Sequence, residues 1–191
     1  MGTHSGLDVS PNSIASEGPL RRVVVVRHGR AGSRAQWRSG DENRPLDATG
    51  FAQALWLVGV LIPISPRRII SSPYLRCRQT VEPLAKSLSI DVELSSDLVP
   101  EAQLKSYELI REMASAPAEV VAVLCTHGET MRDALRLLAT NASIELEEKV
   151  PGVKGCAWTL DFLDGSLSSA NCVTPPQLLR LGMHKSSGRL A

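Results

Sequence analysis

Val23-Val24-Val25-Val26-Arg27-His28-Gly29-Arg30 is the stretch on which the reading of this chain turns. Four consecutive β-branched residues suit a pleated backbone and leave no face for water, so they predict a strand buried on both sides, as in a sheet covered by helices. A cation, an imidazole and a glycine follow at once. Ligands of open α/β sheets meet the groups just past the carboxyl ends of strands, which makes Arg27 and His28 candidate site residues. Gly29 lets the backbone turn closely around whatever binds there.

The same grammar recurs at Val120-Val121-Ala122-Val123-Leu124-Cys125-Thr126, an apolar run ended by His127-Gly128. The other two histidines, His4 and His184, lie in polar end segments and read as solvated. A single histidine at a strand end is as readily a hydrogen-bonded, half-buried imidazole as a reactive one. Two in matched contexts favour one shared site.

The rest of the chain bounds what that site can be. With 191 residues the chain suits one domain with a real core. A net charge of +1 argues against a broad nucleic-acid or polybasic membrane surface, because affinity for such surfaces comes from clustered cations. Cys77, Cys125, Cys156 and Cys172 contain no close metal-ligand pair, so neither a structural zinc nor a disulfide framework is expected, and a cytoplasmic location is the simpler reading. No signal-like core or membrane-length apolar run stands out.

In order, residues 1–19 are rich in Ser, Gly, Pro and Asn and read as a flexible leader, residues 20–174 as the folded domain, and residues 175–191 as an irregular tail. A long polar loop after His28 carries Arg30, Arg34, Arg38, Arg44 and Trp37; its position and charge predict contact with an anionic substrate, with Trp37 either stacked on a base or packed on the core. Asp47 is positioned to cap a helix whose apolar face is expected at Phe51, Ala54, Leu55, Val58, Leu61 and Ile62. A short strand at Arg68–Ser71 precedes a helix opened by Ser72-Pro73, in which Pro83 is expected to produce a kink or break. Arg76 and Arg78 near that helix start oppose the macrodipole, and a bound anion would offset the conflict; solvation is the plain alternative. A weak edge strand near Ile90–Leu94, helices at about 102–116 and after His127, and a final hairpin through Leu163-Asp164-Gly165-Ser166 complete the reading.

Arg27-His28-Gly29, Ser71-Ser72-Pro73-Tyr74-Leu75-Arg76-Cys77-Arg78-Gln79-Thr80 and His127-Gly128, each after a strand and in this order, resemble the histidine phosphatase superfamily, also called phosphoglycerate-mutase-like. Arg44 to Gly50 is similar to its short SixA-like branch. Ala31-Gly32-Ser33-Arg34 and the run from Gly155 through Trp158, Leu160 and Phe162 to Asp164-Gly165 look more like the phosphatase-like domain behind a Nudix domain in some actinobacterial MutT-type proteins.

The resemblance implies a three-layer α/β/α sandwich with a mostly parallel central sheet and an antiparallel edge strand. It implies a phosphohistidine at His28, with Arg27, Arg76, His127 and Gly128 around the phosphoryl group, and neither a metal nor another cofactor. An imidazole with a pKa of about 6.5 is largely neutral at pH 7 and can attack phosphorus without a separate base. Glu101 is a candidate proton donor for the leaving group and Glu129 a second, and the plainer reading of each is a carboxylate near a helix start. The expected partner is a small phosphorylated metabolite, a nucleotide or a phosphohistidine-bearing protein. Mutase-type phosphoryl transfer and a non-catalytic phospho-ligand binding module are the alternatives.

Overall fold

The structure is a computed structural model that describes residues 19–117, 120–144 and 152–181; the expected leader, apart from Pro19, and the end of the expected tail lie outside the described residues. Its strands are β1 (Arg21–Arg27), β2 (Arg68–Ser71), β3 (Val92–Leu94), β4 (Ala122–Thr126), β5 (Ala157–Leu163) and β6 (Ser166–Val173). The helices are α1 (Ala48–Leu61), α2 (Leu75–Leu88), α3 (Gln103–Ser115), α4 (Gly128–Ala142) and α5 (Gln177–Leu181). The strands form one sheet in the order β3-β2-β4-β1-β5-β6. The first four in that order pair in parallel, whereas β5 runs against β1 and β6 pairs antiparallel with β5 at the edge.

The valine run explains the layers. Side chains alternate along a strand, so Val23 and Val25 face one side and Val24 and Val26 the other. Val23 and Val25 join a core with Ile110, Met131 and Leu135 of α3 and α4, while Val24 and Val26 join Leu57, Val81 and Leu84 of α1 and α2. All four valines are at most 1% exposed, and each such burial contributes about 1.5 to 3 kcal/mol. The result is the expected α/β/α sandwich with β1 at its centre.

Three expectations change in the structure. Helix α1 buries Gly50, Gln53, Ala54, Leu57 and Leu61, whereas Phe51, Leu55 and Ile62 are exposed. Apolar residues occur all around this helix, so their spacing alone did not single out the inward stripe. Helix α2 runs unbroken through Pro83; the missing N–H costs one hydrogen bond, while buried Cys77, Val81, Leu84 and Ala85 hold both halves on the sheet. Part of the segment expected to be irregular forms α5, which packs beside α1. The final hairpin turns at Asp164 and Gly165 with φ of 48° and 76°, the left-handed geometry that an Asp-Gly pair favours. Among the described residues no helix is long and apolar enough to cross a membrane.

Candidate active site

Strand register builds the site. Arg27 pairs with Thr126 in the parallel β1–β4 ladder, so the next residues, His28 and His127, leave the sheet side by side, with ring centroids 5.3 Å apart. Ser71 of β2 pairs with Cys125, which sets Ser72 beside the same end. Its hydroxyl lies 3.0 Å from His127 Nε2. Three adjacent carboxyl ends thus supply neighbouring groups, as the topology of a parallel sheet dictates.

His28 is 6% exposed, and its Nδ1 lies 2.7 Å from the Gly29 carbonyl oxygen. That acceptor fixes the proton on Nδ1 and leaves the lone pair on Nε2, toward which Arg76 Nε donates at 3.3 Å. Burial holds His28 well below the usual histidine pKa, the neighbouring His127, Arg76 and Arg27 act in the same direction, and the Gly29 contact opposes them. The imidazole is therefore neutral and unprotonated at Nε2 near neutral pH.

Arg76 is the hub. It is 3% exposed and donates from Nη1 to the Asp41 carbonyl oxygen at 2.7 Å and from Nη2 to Asp41 Oδ2 at 3.0 Å. Its Nη2 also lies 3.3 Å from His127 Nδ1, which accepts, so the His127 proton sits on Nε2 facing Ser72. The Tyr74 ring stacks under the guanidinium at 4.6 Å. Burial would raise the pKa of Asp41, but the Arg44 hydrogen bond and the charges of Arg76, Arg44 and Arg34 outweigh it and keep the carboxylate ionised. Beneath His127, Cys77 Sγ lies 3.6 Å from Nε2. Burial opposes ionisation of this thiol, yet Cys125, His127 and Arg76 pull it down to about 6.

Close backbone approaches and buried polar side chains hold these groups. A Cβ on Gly128 would lie 2.6 Å from Arg27 Cζ, so the guanidinium rests directly on the start of α4. A Cβ on Gly50 would lie 1.9 Å from the Arg30 carbonyl oxygen, which explains the glycine three residues beyond the α1 cap, where Asp47 Oδ1 accepts from Gly50 N at 2.9 Å. Thr80 accepts from Gly29 N at 2.9 Å and donates to the Arg76 carbonyl oxygen at 2.6 Å. Gln53, 1% exposed, accepts from Arg30 N at 2.7 Å and donates to the Leu179 carbonyl oxygen of α5 at 2.8 Å.

A cavity of about 650 Å³ opens over this cluster, and Arg27, His28, Arg76, His127 and Gly128 all line it. Arg34 and Arg44 from the polar loop line it as well, Arg44 held by Asp41 and by the Gly32 carbonyl oxygen. Glu101 and Glu129 are exposed residues on its wall. Arg30 and Trp37 do not line it. Arg30 pairs with Asp47 at 2.6 Å and the Trp37 indole donates to the Gly40 carbonyl oxygen at 3.0 Å, so both serve the loop's own structure. Arg78 reaches out to Glu82 at 3.7 Å. Asp41, Tyr74, Arg132 and Lys154 belong to the cavity and were not singled out from sequence. For Arg132 the signal was available, one helical turn beyond Gly128; Asp41 and Lys154 lie in segments whose course no local pattern dictates. Among the described residues no group of three His, Cys, Asp or Glu side chains is placed to hold a metal ion.

Residues 23–100 match the model of the histidine phosphatase superfamily, branch 1. An 8-oxo-(d)GTP phosphatase of Mycolicibacterium smegmatis is 33% identical over 160 residues, 82% of this chain and 49% of that protein, so the chain spans about half of the relative's length. A solved structure assigned to phosphohistidine phosphatase SixA from Agrobacterium tumefaciens superposes with a TM-score of 0.59 at 25% identity, covering 81% of this chain and 98% of that one. The protein histidine phosphatase SixA complexed with tungstate superposes at 0.62 and 20% identity over 78% and 94% of the two chains, a likeness of fold. None of these matches bears on the likeness to Nudix-fused domains. The ordered Arg27-His28-Gly29, Arg76 and His127-Gly128 groups thus converge at one end of a SixA-like sheet, and the segment that carries the first two of them, residues 23–100, is the part of the chain that matches the histidine phosphatase superfamily, branch 1.

Proposed function

We propose that the protein is a metal-independent phosphatase that works through a phosphohistidine at His28. The observation that carries this reading is the buried, neutral imidazole whose Nε2 lone pair faces the cavity next to Arg76. Nε2 attacks phosphorus, an N–P bond forms, and the bond to the leaving oxygen breaks with its electron pair on that oxygen. Arg27 and Arg76 bind the non-bridging oxygens, whose planar charge distribution suits guanidinium forks. His127 positions Arg76 in the unliganded geometry and, when protonated at Nδ1, adds a donor of its own; the N–H of Gly128 at the start of α4 adds another. Water then attacks phosphorus, the N–P bond breaks, and its electron pair returns to Nε2.

An alkoxide leaving group requires a proton, and Glu101 or Glu129 supplies it from the cavity wall. Substrates are small phosphorylated molecules or phosphohistidine side chains, recognised with help from Arg34 and Arg44. The buried free thiols of Cys77 and Cys125 suit a reducing cytoplasm.

Phosphate release from p-nitrophenyl phosphate, measured with chelator present for the wild type and His28→Ala, tests the reading. Chelator-resistant turnover that disappears in the variant, with acid-labile phosphate trapped on the wild type, is the expected result. Turnover that survives His28→Ala overturns it.

A further inference from the structure

The cavity carries more positive charge than one transferred phosphoryl group requires. Six cationic side chains line it against three carboxylates. Asp41 is engaged by Arg76, Arg44 and Arg34, and Glu101 and Glu129 are exposed. Arg132 and Lys154 enter no ion pair among the described residues. Lys154 is half-buried, and burial together with repulsion from Arg27, Arg44 and Arg30 outweighs Asp47 and destabilises its charge. Like charges gathered on a low-dielectric wall are unfavourable until an anion offsets them.

These two cations adjoin the phosphoryl site through Arg27. A Cβ on Gly152 would lie 3.4 Å from Arg132 Cδ and 3.6 Å from Arg27 Nη1, so one stretch of backbone borders both arginines. Arg27 Nε, which lies against Gly128, is buried without a hydrogen-bond partner among the described residues, a donor that an anion beside Gly128 would satisfy. Resting on the phosphatase reading above, we propose that the site is built for a phosphoanhydride: a small molecule ending in a diphosphate, with its outer phosphoryl group at His28 between Arg27 and Arg76 and its inner one on Arg132 and Lys154.

The chemistry balances without a carboxylic acid. The His28 Nε2–P bond forms as the bridging P–O bond breaks, and the electron pair stays on the bridging oxygen of the departing inner phosphate. That group leaves readily unprotonated, unlike an alkoxide. Water then releases the outer group as phosphate, its proton passing to solvent and the electron pair returning to Nε2. A phosphomonoester or a phosphohistidine side chain would leave Arg132 and Lys154 without a counter-charge.

Calorimetric titration with inorganic phosphate and with imidodiphosphate, a non-hydrolysable diphosphate, reads the inner subsite whether or not turnover occurs. The wild type is expected to bind imidodiphosphate at least about ten-fold more tightly than phosphate, and Arg132→Ala and Lys154→Gln are each expected to reduce that ratio about five-fold or more. Equal affinity for the two anions, or a ratio untouched in both variants, overturns the proposal even if His28-dependent turnover stands. So does faster turnover of a phosphohistidine peptide than of any nucleoside diphosphate. Conversely, a strong diphosphate preference with no phosphate release would leave the subsite in place and remove the phosphatase reading.

Discussion

The Asp41 carboxylate lies 3.0 Å from Arg76 Nη2 while its own backbone carbonyl takes Nη1 at 2.7 Å, so a residue of the polar loop grips both ends of the guanidinium that faces His28. Charge-assisted pairs of this kind fix direction as well as energy. Asp41→Ala removes the carboxylate from Nη2 and leaves Arg76 held by the residue 41 carbonyl, Tyr74, His28 and His127, and kcat/KM is expected to fall about ten-fold or more because misplacement of a binding group by a fraction of an ångström is costly. Steady-state kinetics beside a thermal melt would separate this from unfolding; unchanged kcat/KM would show that Asp41 only anchors the loop.

The depressed pKa of His28 sets a pH window. Activity requires neutral Nε2, so the acid limb of kcat/KM should lie well below pH 6.5. Stability runs in the same direction. The unfolded chain takes up a proton on this histidine near pH 6.5 and the folded chain does not, so the unfolded state binds more protons, and stability is lost as pH falls from there toward the folded pKa. Denaturant midpoints at about pH 7.5 and about pH 5.5 should show a loss in the wild type that is smaller in His28→Asn. A limb near pH 6.5 would mean that the imidazole is better solvated than its burial implies.

Gly50 and Gly128 separate stability from activity. Gly50→Ala drives a methyl into the Arg30 carbonyl oxygen, a backbone atom that accepts from Asp47 N at 3.0 Å, and should cost about 2 kcal/mol or more. Gly128→Ala meets the end of the Arg27 side chain, which can swing away, so the melting temperature should change little while kcat/KM drops about ten-fold or more. Melting curves and kinetics on both variants check this. A Gly128 variant that unfolds while the Gly50 variant does not would reverse the assignment.

Thr80→Val keeps the shape of the side chain and removes its oxygen. Gly29 N–H would then be buried without its acceptor, a loss of about 1 to 3 kcal/mol in chemical denaturation. Because that amide adjoins His28, kcat should fall as well. A neutral effect on both would mean that water replaces the hydroxyl.

The parts of this molecule legible in the sequence are those set by local pattern. The valine run gave the central strand because its alternation feeds two cores at once, and two strands each ending in His-Gly placed both imidazoles at one edge. Arg76 was visible through its conflict with the helix dipole. Asp41 and Lys154 were not visible, because their roles depend on where a loop and a turn close in space. Arg30 and Trp37 misled for the same reason: a cation and an aromatic in a loop read as substrate contacts until Asp47 and Gly40 are seen to take them. Pro83 was read as a breaker, and the packing of α2 overrode it.

Gln53 gives α5 a consequence of its own. One buried amide touches the backbone just beyond His28 at one end and Leu179 at the other. The two share a single rotor: whatever lifts α5, whether a proteolytic nick after Pro176 or a partner that grips the exposed Leu178, releases one end of the link whose other end steadies Arg30. The short helix α5, packed beside α1, therefore has mechanical leverage over the turn that follows His28.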